Sequence, residues 1–406
     1  MRKVIVVGGG ASGLVSAIVA ARNGAVVTIL ERASTCGKKI LATGNGKCNY
    51  YNEDMSVKHY NSNDRYLLDR IINSKNKELV LDFFQSIGIV PRVRDGYYYP
   101  YSNQAVSVLN AFLLEVKRLG ISIVNDCYVT DIEQNGKGFV VHSNICDYKT
   151  DKLILATGSY AYYNFDNINS YDIVANFNHS IVDVFPALVQ LVVDNKITKK
   201  WAGVRVFSRI KLYQDNEFIR EEEGELMLTN YGISGICAMQ LSSIIARGIS
   251  NNKKYSLVIN FVPTLASDVS SMILFLDDYD KKCSGRTVIE ILDNILNYKL
   301  SNVIALDLGN RYYSDLSEKD KVKLASKLVS FRVDINGTKL FRDAQVCSGG
   351  VSIKDINLLT MESLIVKNLY IVGEVLDVDG DCGGYNLGFA WTTGIIAGNS
   401  VVNEND

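Results

Sequence analysis

The sequence predicts an α/β fold in which both chain ends build one parallel-sheet domain and the middle of the chain is inserted into it. Three observations carry this. The chain opens with an apolar strand, a glycine-rich turn and a helix. A further buried strand runs into Ala156-Thr157-Gly158 after a β-meander. The chain closes, between Asn368 and Ser400, with another strand, glycine-rich turn and helix.

The opening stretch is read first. Lys3 to Val7 has no polar interruption, as in a buried strand of a parallel sheet. Gly8 to Gly13 satisfies G-x-G-x-x-G. Gly8 permits a tight turn, Gly10 lets the backbone approach a pyrophosphate, and Gly13 lets the helix pack closely on the strand. A helical pattern runs from Ser12 to Asn23 and stops at Gly24. Its first turn, from Ala11 and Ser12, offers free N–H groups and a partial positive charge to phosphates. The second strand, Val26 to Leu30, ends in Glu31, an acceptor for ribose hydroxyls. Triple glycine breaks the apolar core that a secretory signal needs.

Composition bounds the rest. The 406 residues are 47% hydrophobic and 21% charged, a folded chain of two or three domains. Forty-three basic and 44 acidic residues nearly cancel. No basic stripe supports nucleic-acid binding, and no apolar run reaches the ~18 residues of a membrane helix. The eight cysteines form no C-x-x-C, so they read as reduced thiols of a cytoplasmic protein rather than as zinc ligands or disulfides. Only His59, His142 and His179 are available as histidine ligands, so no metal site is expected.

After Glu31, Gly37 to Asn49 forms a glycine-punctuated polar loop with three lysines. Its backbone N–H groups with Lys38, Lys39, Thr43, Gly44, Asn45, Cys48 and Asn49 are candidates for holding phosphates or an anionic cofactor edge. Asp64 to Ser86 reads as one helix and Asn103 to Leu119 as another, with a hairpin between them. Tyr97, Tyr98, Tyr99 and Tyr101 read as packing. Ile121 to Val124 is a strand, and the meander opens near Val129, a candidate contact of the cofactor. Leu153 to Ala156 then delivers Ala156, Thr157 and Gly158 to the adenosine-pyrophosphate region.

From about Ala187 to Lys339 the pattern changes to short alternating strands and then helices, Met239 to Arg247 among them. The expected division is 1–186 with 340–406 as the cofactor domain, 187–263 with 329–339 as a β-barrel-like insertion, and 264–328 as a small helical domain. The closing segment repeats the opening logic. Asn368 to Glu374 is a strand ending in Gly373-Glu374, and Gly383, Gly384, Tyr385, Asn386 and Leu387 lead into a small-residue helix. Glu374 or Asp377 suits ribityl hydroxyls, and the N–H groups of residues 384–387 suit the flavin O2 and N1. Asp377, Asp379 and Asp381 lack the distal Glu of an EF-hand. A site built from both chain ends suits long, extended FAD better than NAD. With a single G-x-G-x-x-G in the chain, any nicotinamide docks transiently.

These motifs resemble the BaiN/RdsA-like NAD(P)/FAD-dependent oxidoreductases, also called the aminoacetone oxidase family. The carrying residues are Gly8 to Gly13, Gly37 to Asn49, Leu153 to Gly158, Gly349 to Val351, Thr360 to Ser363 and Tyr370 to Gly394. The resemblance implies a Rossmann-like domain with noncovalent FAD, a barrel-like insertion and a small helical domain. It also implies either reduction of enone-type bile-acid intermediates or amine oxidation with release of hydrogen peroxide. One departure is that Ser159 to Asp166 lacks the glycine-rich turn usual in the family.

The expectation is an NAD(P)H-linked FAD oxidoreductase passing a hydride through flavin N5 to or from a small or hydrophobic substrate held between the FAD domain and the insertion. A flavin amine oxidase and a non-enzymatic flavin-binding redox protein are the alternatives. Cys48, Cys382 and Tyr385 are near-flavin candidates for catalysis, each outweighed by a packing role.

Overall fold

The computed structural model describes residues 2–162, 170–193 and 197–402. It divides into two compact units, Met1–Val184 with Val346–Asp406, and Phe185–Gln345. Among the described residues no helix is long and apolar enough to cross a membrane.

The first unit is built on a seven-stranded sheet. Strand β1 (Lys3–Val7) lies between β2 (Val26–Leu30) and Lys152–Leu155, parallel to both. Leu369–Ile371 adds on in parallel beyond Lys152–Leu155, and Ser122–Val124 beyond β2. Val4 to Val7 and Leu153 to Leu155 are buried, as continuous apolar runs in a parallel sheet should be. The meander Val129–Asn135, Gly138–Ser143 and Tyr148–Thr150 forms a separate antiparallel sheet, turning at Asn135-Gly136 as expected.

Helix α1 (Ala11–Arg22) and the C-terminal helix Tyr385–Ser400 pack on each other almost backbone to backbone. Glycine makes this possible. A Cβ at Gly394 would sit 2.3 Å from Val15 Cγ1, and one at Gly398 would sit 2.7 Å from Val19 Cβ. Trp391, on the same C-terminal helix, stacks on Phe112 with ring centroids 5.3 Å apart and donates to the Tyr50 carbonyl at 3.0 Å. Tyr50 stacks in turn on Phe84 at 4.4 Å. This aromatic cluster fixes the chain around Cys48 to Asn52. Tyr98 joins it edge-on to Tyr50 and Tyr51, in the packing role expected of it, whereas Tyr101, expected to pack likewise, is exposed.

The second unit carries seven strands, all paired antiparallel, in the order Phe331–Ile335, Tyr255–Asn260, Val204–Gln214, Glu217–Leu228, Gly232–Ser234, Leu191–Val192, Gly337–Thr338. Helices Val269–Lys282, Val288–Asp293, Tyr298–Ala305 and Glu318–Val329 share its own apolar core.

Three sequence expectations need correction. Asp64 to Ser86 is not one helix. Arg65–Arg70 is a 3₁₀ segment, and α-helix resumes at Ser74 because the Asn73 side chain accepts from the Asn76 N–H and caps a new start. Glu217 to Arg220 and Glu225 to Leu228 are one strand, because Glu221 and Glu223 continue the ladder opposite Lys211 and Arg209. The helix placed over Met239 to Arg247 is two helices, Ile236–Met239 and Ser242–Ser250.

Candidate functional site

The first-unit site is built from the glycine turn after β1, the loop after β2 and the segment 373–387, whose Gly373 packs on Ser12. Gly8 has φ +103°, and a Cβ there would lie 2.3 Å from the Ala156 carbonyl oxygen. A Cβ on Gly13 would lie 1.9 Å from the Gly8 carbonyl oxygen. Both glycines are therefore required by packing. Gly10 differs: a Cβ there meets nothing within 4 Å, so the space above it is open. Gly10 caps α1 without a side-chain hydrogen bond, leaving the first N–H groups of the helix, from Ala11, Ser12 and Gly13, without a side-chain cap. The Ser12 side chain presses against Gly373, where a Cβ would lie 2.4 Å from Ser12 Oγ.

Glu31 sits at the end of β2, buried. Its Oε2 accepts from the Gly9 N–H at 2.6 Å and its Oε1 from the Ala33 N–H at 2.7 Å. The strand end thus fixes a carboxylate beside the glycine turn, as the motif predicts. Val129 is buried at the head of the meander. On the other side of β1, Thr157 follows the strand Lys152–Leu155, and Gly158 turns the chain with φ +71°.

The loop after Glu31 contains a short helix, Lys38–Leu41, and a 3₁₀ turn, Gly44–Gly46; the side chain of Asn45 lies outside the described set. Lys38 is exposed. Lys39 reaches across to Glu374, with Nζ 2.5 Å from Oε2. Glu374 Oε1 also accepts from the Ser159 hydroxyl at 2.7 Å and the Cys347 N–H at 3.2 Å. One carboxylate thereby joins the lysine loop, the turn after Ala156-Thr157-Gly158 and the strand Val346–Val351. The Thr43 hydroxyl donates to the Ile40 carbonyl and shapes the loop.

Gly383 and Gly384 hold φ +130° and +91°. A Cβ on Gly384 would lie 2.7 Å from the Tyr51 carbonyl oxygen and 2.9 Å from Asn49 Oδ1, so the first loop and the last turn touch. The Asn386 side chain is occupied in shaping this turn: Oδ1 accepts from the Gly380 N–H at 2.8 Å, and Nδ2 donates to the Gly380 carbonyl at 2.7 Å. Gly384 caps the C-terminal helix without a side-chain bond, which leaves the N–H groups of Tyr385, Asn386 and Leu387 at a helix N-terminus. Asp377 is buried and accepts from the Asn63 N–H at 2.9 Å.

Sequence reasoning did not single out His59. Its Nδ1 lies 3.0 Å from Asp381 Oδ2 and its Nε2 3.2 Å from Asp54 Oδ2, and its ring stacks on Tyr385 at 4.4 Å. These partners are far apart in sequence except Asp54, so no local motif announces them. Ser159 and Cys347 escaped notice for the same reason.

Thiol chemistry has little support here. Burial pushes the thiols of Cys36, Cys48, Cys347 and Cys382 up to about 12, so they stay protonated at neutral pH. Burial also raises the Tyr385 phenol above its ordinary value. The departure after Gly158 falls partly at 163–169, outside the described residues.

An extended dinucleotide fits these residues. Two helix N-termini are free of side-chain caps, Gly10 leaves room for close approach, and the Glu31 carboxylate is fixed beside the first glycine turn. Thr157 Oγ1 and Asn49 Oδ1 are buried without hydrogen-bond partners among the described residues. Unsatisfied buried polar atoms of this kind are rare in folded proteins, and a polar ligand satisfies them.

Comparison with known proteins agrees. A 3-dehydro-bile acid delta(4,6)-reductase of Clostridium scindens is 36% identical over 415 residues, covering 99% of each chain. A ribosomal RNA dihydrouridine synthase of Escherichia coli is 25% identical, covering 96% of this chain and 95% of its own. A flavocytochrome c3 fumarate reductase shares the fold, with a TM-score of 0.51 at 16% identity, covering 98% of this chain and 78% of that one. The family described as HI0933-like protein Rossmann domain matches residues 2–400. The chain belongs to that family and is an FAD-dependent oxidoreductase.

Proposed function

We propose that the protein reduces a carbon–carbon double bond conjugated to a carbonyl group in a small or hydrophobic substrate, with NAD(P)H as transient electron donor. The observation that carries this is the full-length match to the bile acid reductase, joined to a dinucleotide cradle whose polar atoms await a ligand. The dihydrouridine synthases are named for a related chemistry, since saturating uridine also reduces a double bond next to a carbonyl. The near balance of 43 basic and 44 acidic residues favours a small molecule over RNA.

When bound, FAD supplies the hydride chemistry. The chain's residues bind and orient. Glu31 would accept from the adenosine ribose, and the first N–H groups of α1 would hold the pyrophosphate. Glu374, held by Lys39 and Ser159, would accept from the ribityl chain. The N–H groups of Tyr385 to Leu387 would donate to the flavin O2 and N1 edge and favour negative charge there. Neutral Cys48 and Cys382 are walls rather than nucleophiles. Reduced thiols support a cytoplasmic setting.

Anaerobic stopped-flow absorbance at the flavin band tests this. NADH or NADPH should bleach the protein, and an α,β-unsaturated ketone should recolour it. Bleaching by aminoacetone alone, with recolouring in air, would instead establish an amine oxidase. Recolouring by uridine-containing RNA and not by the ketone would assign the RNA substrate.

A further inference from the structure

Tyr171 was not part of any motif, yet it occupies an unusual position. It lies in the short helix Ser170–Ala175 and is 3% exposed. Its ring stands edge-on to Tyr160, with centroids 4.8 Å apart and planes at 81°. Its hydroxyl is buried and has no hydrogen-bond partner among the described residues. A phenol hydroxyl left this way costs free energy that folding alone does not recover.

The surroundings say what would satisfy it. Tyr160 follows Ser159, whose hydroxyl donates to Glu374, and the helix Ser170–Ala175 packs on the strand Val346–Val351, whose Cys347 N–H donates to the same carboxylate, so Tyr171 and Glu374 share one neighbourhood of the first unit. Burial and these neighbours raise the phenol well above its ordinary value, so at neutral pH it is a hydrogen-bond donor. Glu374 already accepts from Lys39, Ser159 and the Cys347 N–H. A carboxylate has about four acceptor positions, so it keeps roughly one for a ligand. This neighbourhood therefore holds a donor without a partner and a carboxylate with an acceptor position to spare. A ligand hydroxyl both donates and accepts, so a polyol matches this pair, whereas a bare carbonyl or an ammonium uses only one half.

We propose that the Tyr171 hydroxyl donates a hydrogen bond to the ribityl chain of bound FAD, which in turn donates to Glu374. This rests on the flavin reading above. Tyr171 is a positioning residue for the cofactor, so its effect is read in cofactor affinity.

Wild-type and Tyr171→Phe proteins, stripped of flavin, are titrated with FAD by fluorescence, and the thermal midpoint of each apoprotein is recorded. Tyr171→Phe should bind FAD about tenfold more weakly, the size of one lost hydrogen bond. Its apoprotein midpoint should stay the same or rise, because a buried unsatisfied hydroxyl has been removed. An unchanged FAD Kd overturns the proposal; a lowered apoprotein midpoint with that unchanged Kd means that a buried water held the hydroxyl. FAD analogues lacking single ribityl hydroxyls supply a second measurement. One analogue should lose about tenfold more affinity, relative to FAD, in wild type than in Tyr171→Phe. Equal losses in both proteins for every analogue also overturn the proposal. A wild-type protein that takes up no FAD refutes the flavin reading itself.

Discussion

Gly10→Ala separates a glycine kept for a ligand from glycines kept for packing. In the structure Gly10 has φ −79°, which alanine adopts freely, and its added Cβ meets nothing within 4 Å. Alanine there gains about 0.4–1 kcal/mol by restricting the unfolded chain, and loses a comparable amount as a poorer N-cap. The apoprotein should therefore keep its stability to within about 1 kcal/mol. The same methyl occupies the space through which the backbone meets the pyrophosphate, so FAD affinity should fall at least a hundredfold, about 2.7 kcal/mol. With FAD at about 100 times the wild-type Kd, binding adds about 2.7 kcal/mol to wild-type stability, while a hundredfold weaker variant gains only about 0.4 kcal/mol. Urea unfolding with and without FAD reads both quantities. Gly13→Ala is the contrast: its Cβ would collide with the Gly8 carbonyl oxygen at 1.9 Å, so the apoprotein itself should fail. If Gly10→Ala binds FAD like wild type, or unfolds without FAD, the assignment of this turn is wrong.

Two further outcomes are expected. A thiol reagent at neutral pH should modify exposed Cys146 first, half-buried Cys382 slowly because its thiol is pushed up to about 12, and Cys36, Cys48 and Cys347 only after unfolding, as mass spectrometry would show; fast labelling of Cys48 or Cys382 in the native protein would restore them as nucleophiles. Buried His179 donates from Nδ1 to the Val174 carbonyl and accepts at Nε2 from the Ser363 hydroxyl at 2.7 Å, and burial lowers it from its ordinary 6.5. Below 6.5 the unfolded chain takes up this proton and the folded chain does not, so stability falls with acidification from 6.5 down to the lowered folded value. His179→Gln should flatten that part of the urea-midpoint profile, and an identical slope in both proteins would refute it.

The parallel sheet and its two glycine turns were legible because each is written locally. Strand, glycines, helix and terminal acid follow one another from Lys3 to Glu31, and their physical jobs do not depend on distant residues. The meander was legible through Asn135-Gly136. The helix break at Ile71 to Asn73 was missed because the apolar period continues across it, while the cap that restarts the helix is a single asparagine. The site's cross-links were invisible for a different reason. Lys39 with Glu374, Asn49 with Gly384 and His59 with Asp381 join segments separated by most of the chain, and nothing in either segment alone names the other. Asn386 reads as a flavin contact through its N–H at a helix start, and the sequence does not announce the second task of its side chain, which folds the turn before it.

The order of the strands has a consequence for how the protein is made. The central strand Lys152–Leu155 needs β1, made before it, and Leu369–Ile371, made only after the whole second unit. The packing of α1 against Tyr385–Ser400 likewise has to wait until that helix has left the ribosome. The second unit has an apolar core drawn entirely from its own stretch of chain, so nothing obliges it to wait. The nascent chain thus carries a nearly complete N-terminal half-sheet with an open edge while the insertion is being made. An unpaired edge of this kind invites wrong pairing, and premature termination after the insertion leaves it without Leu369–Ile371.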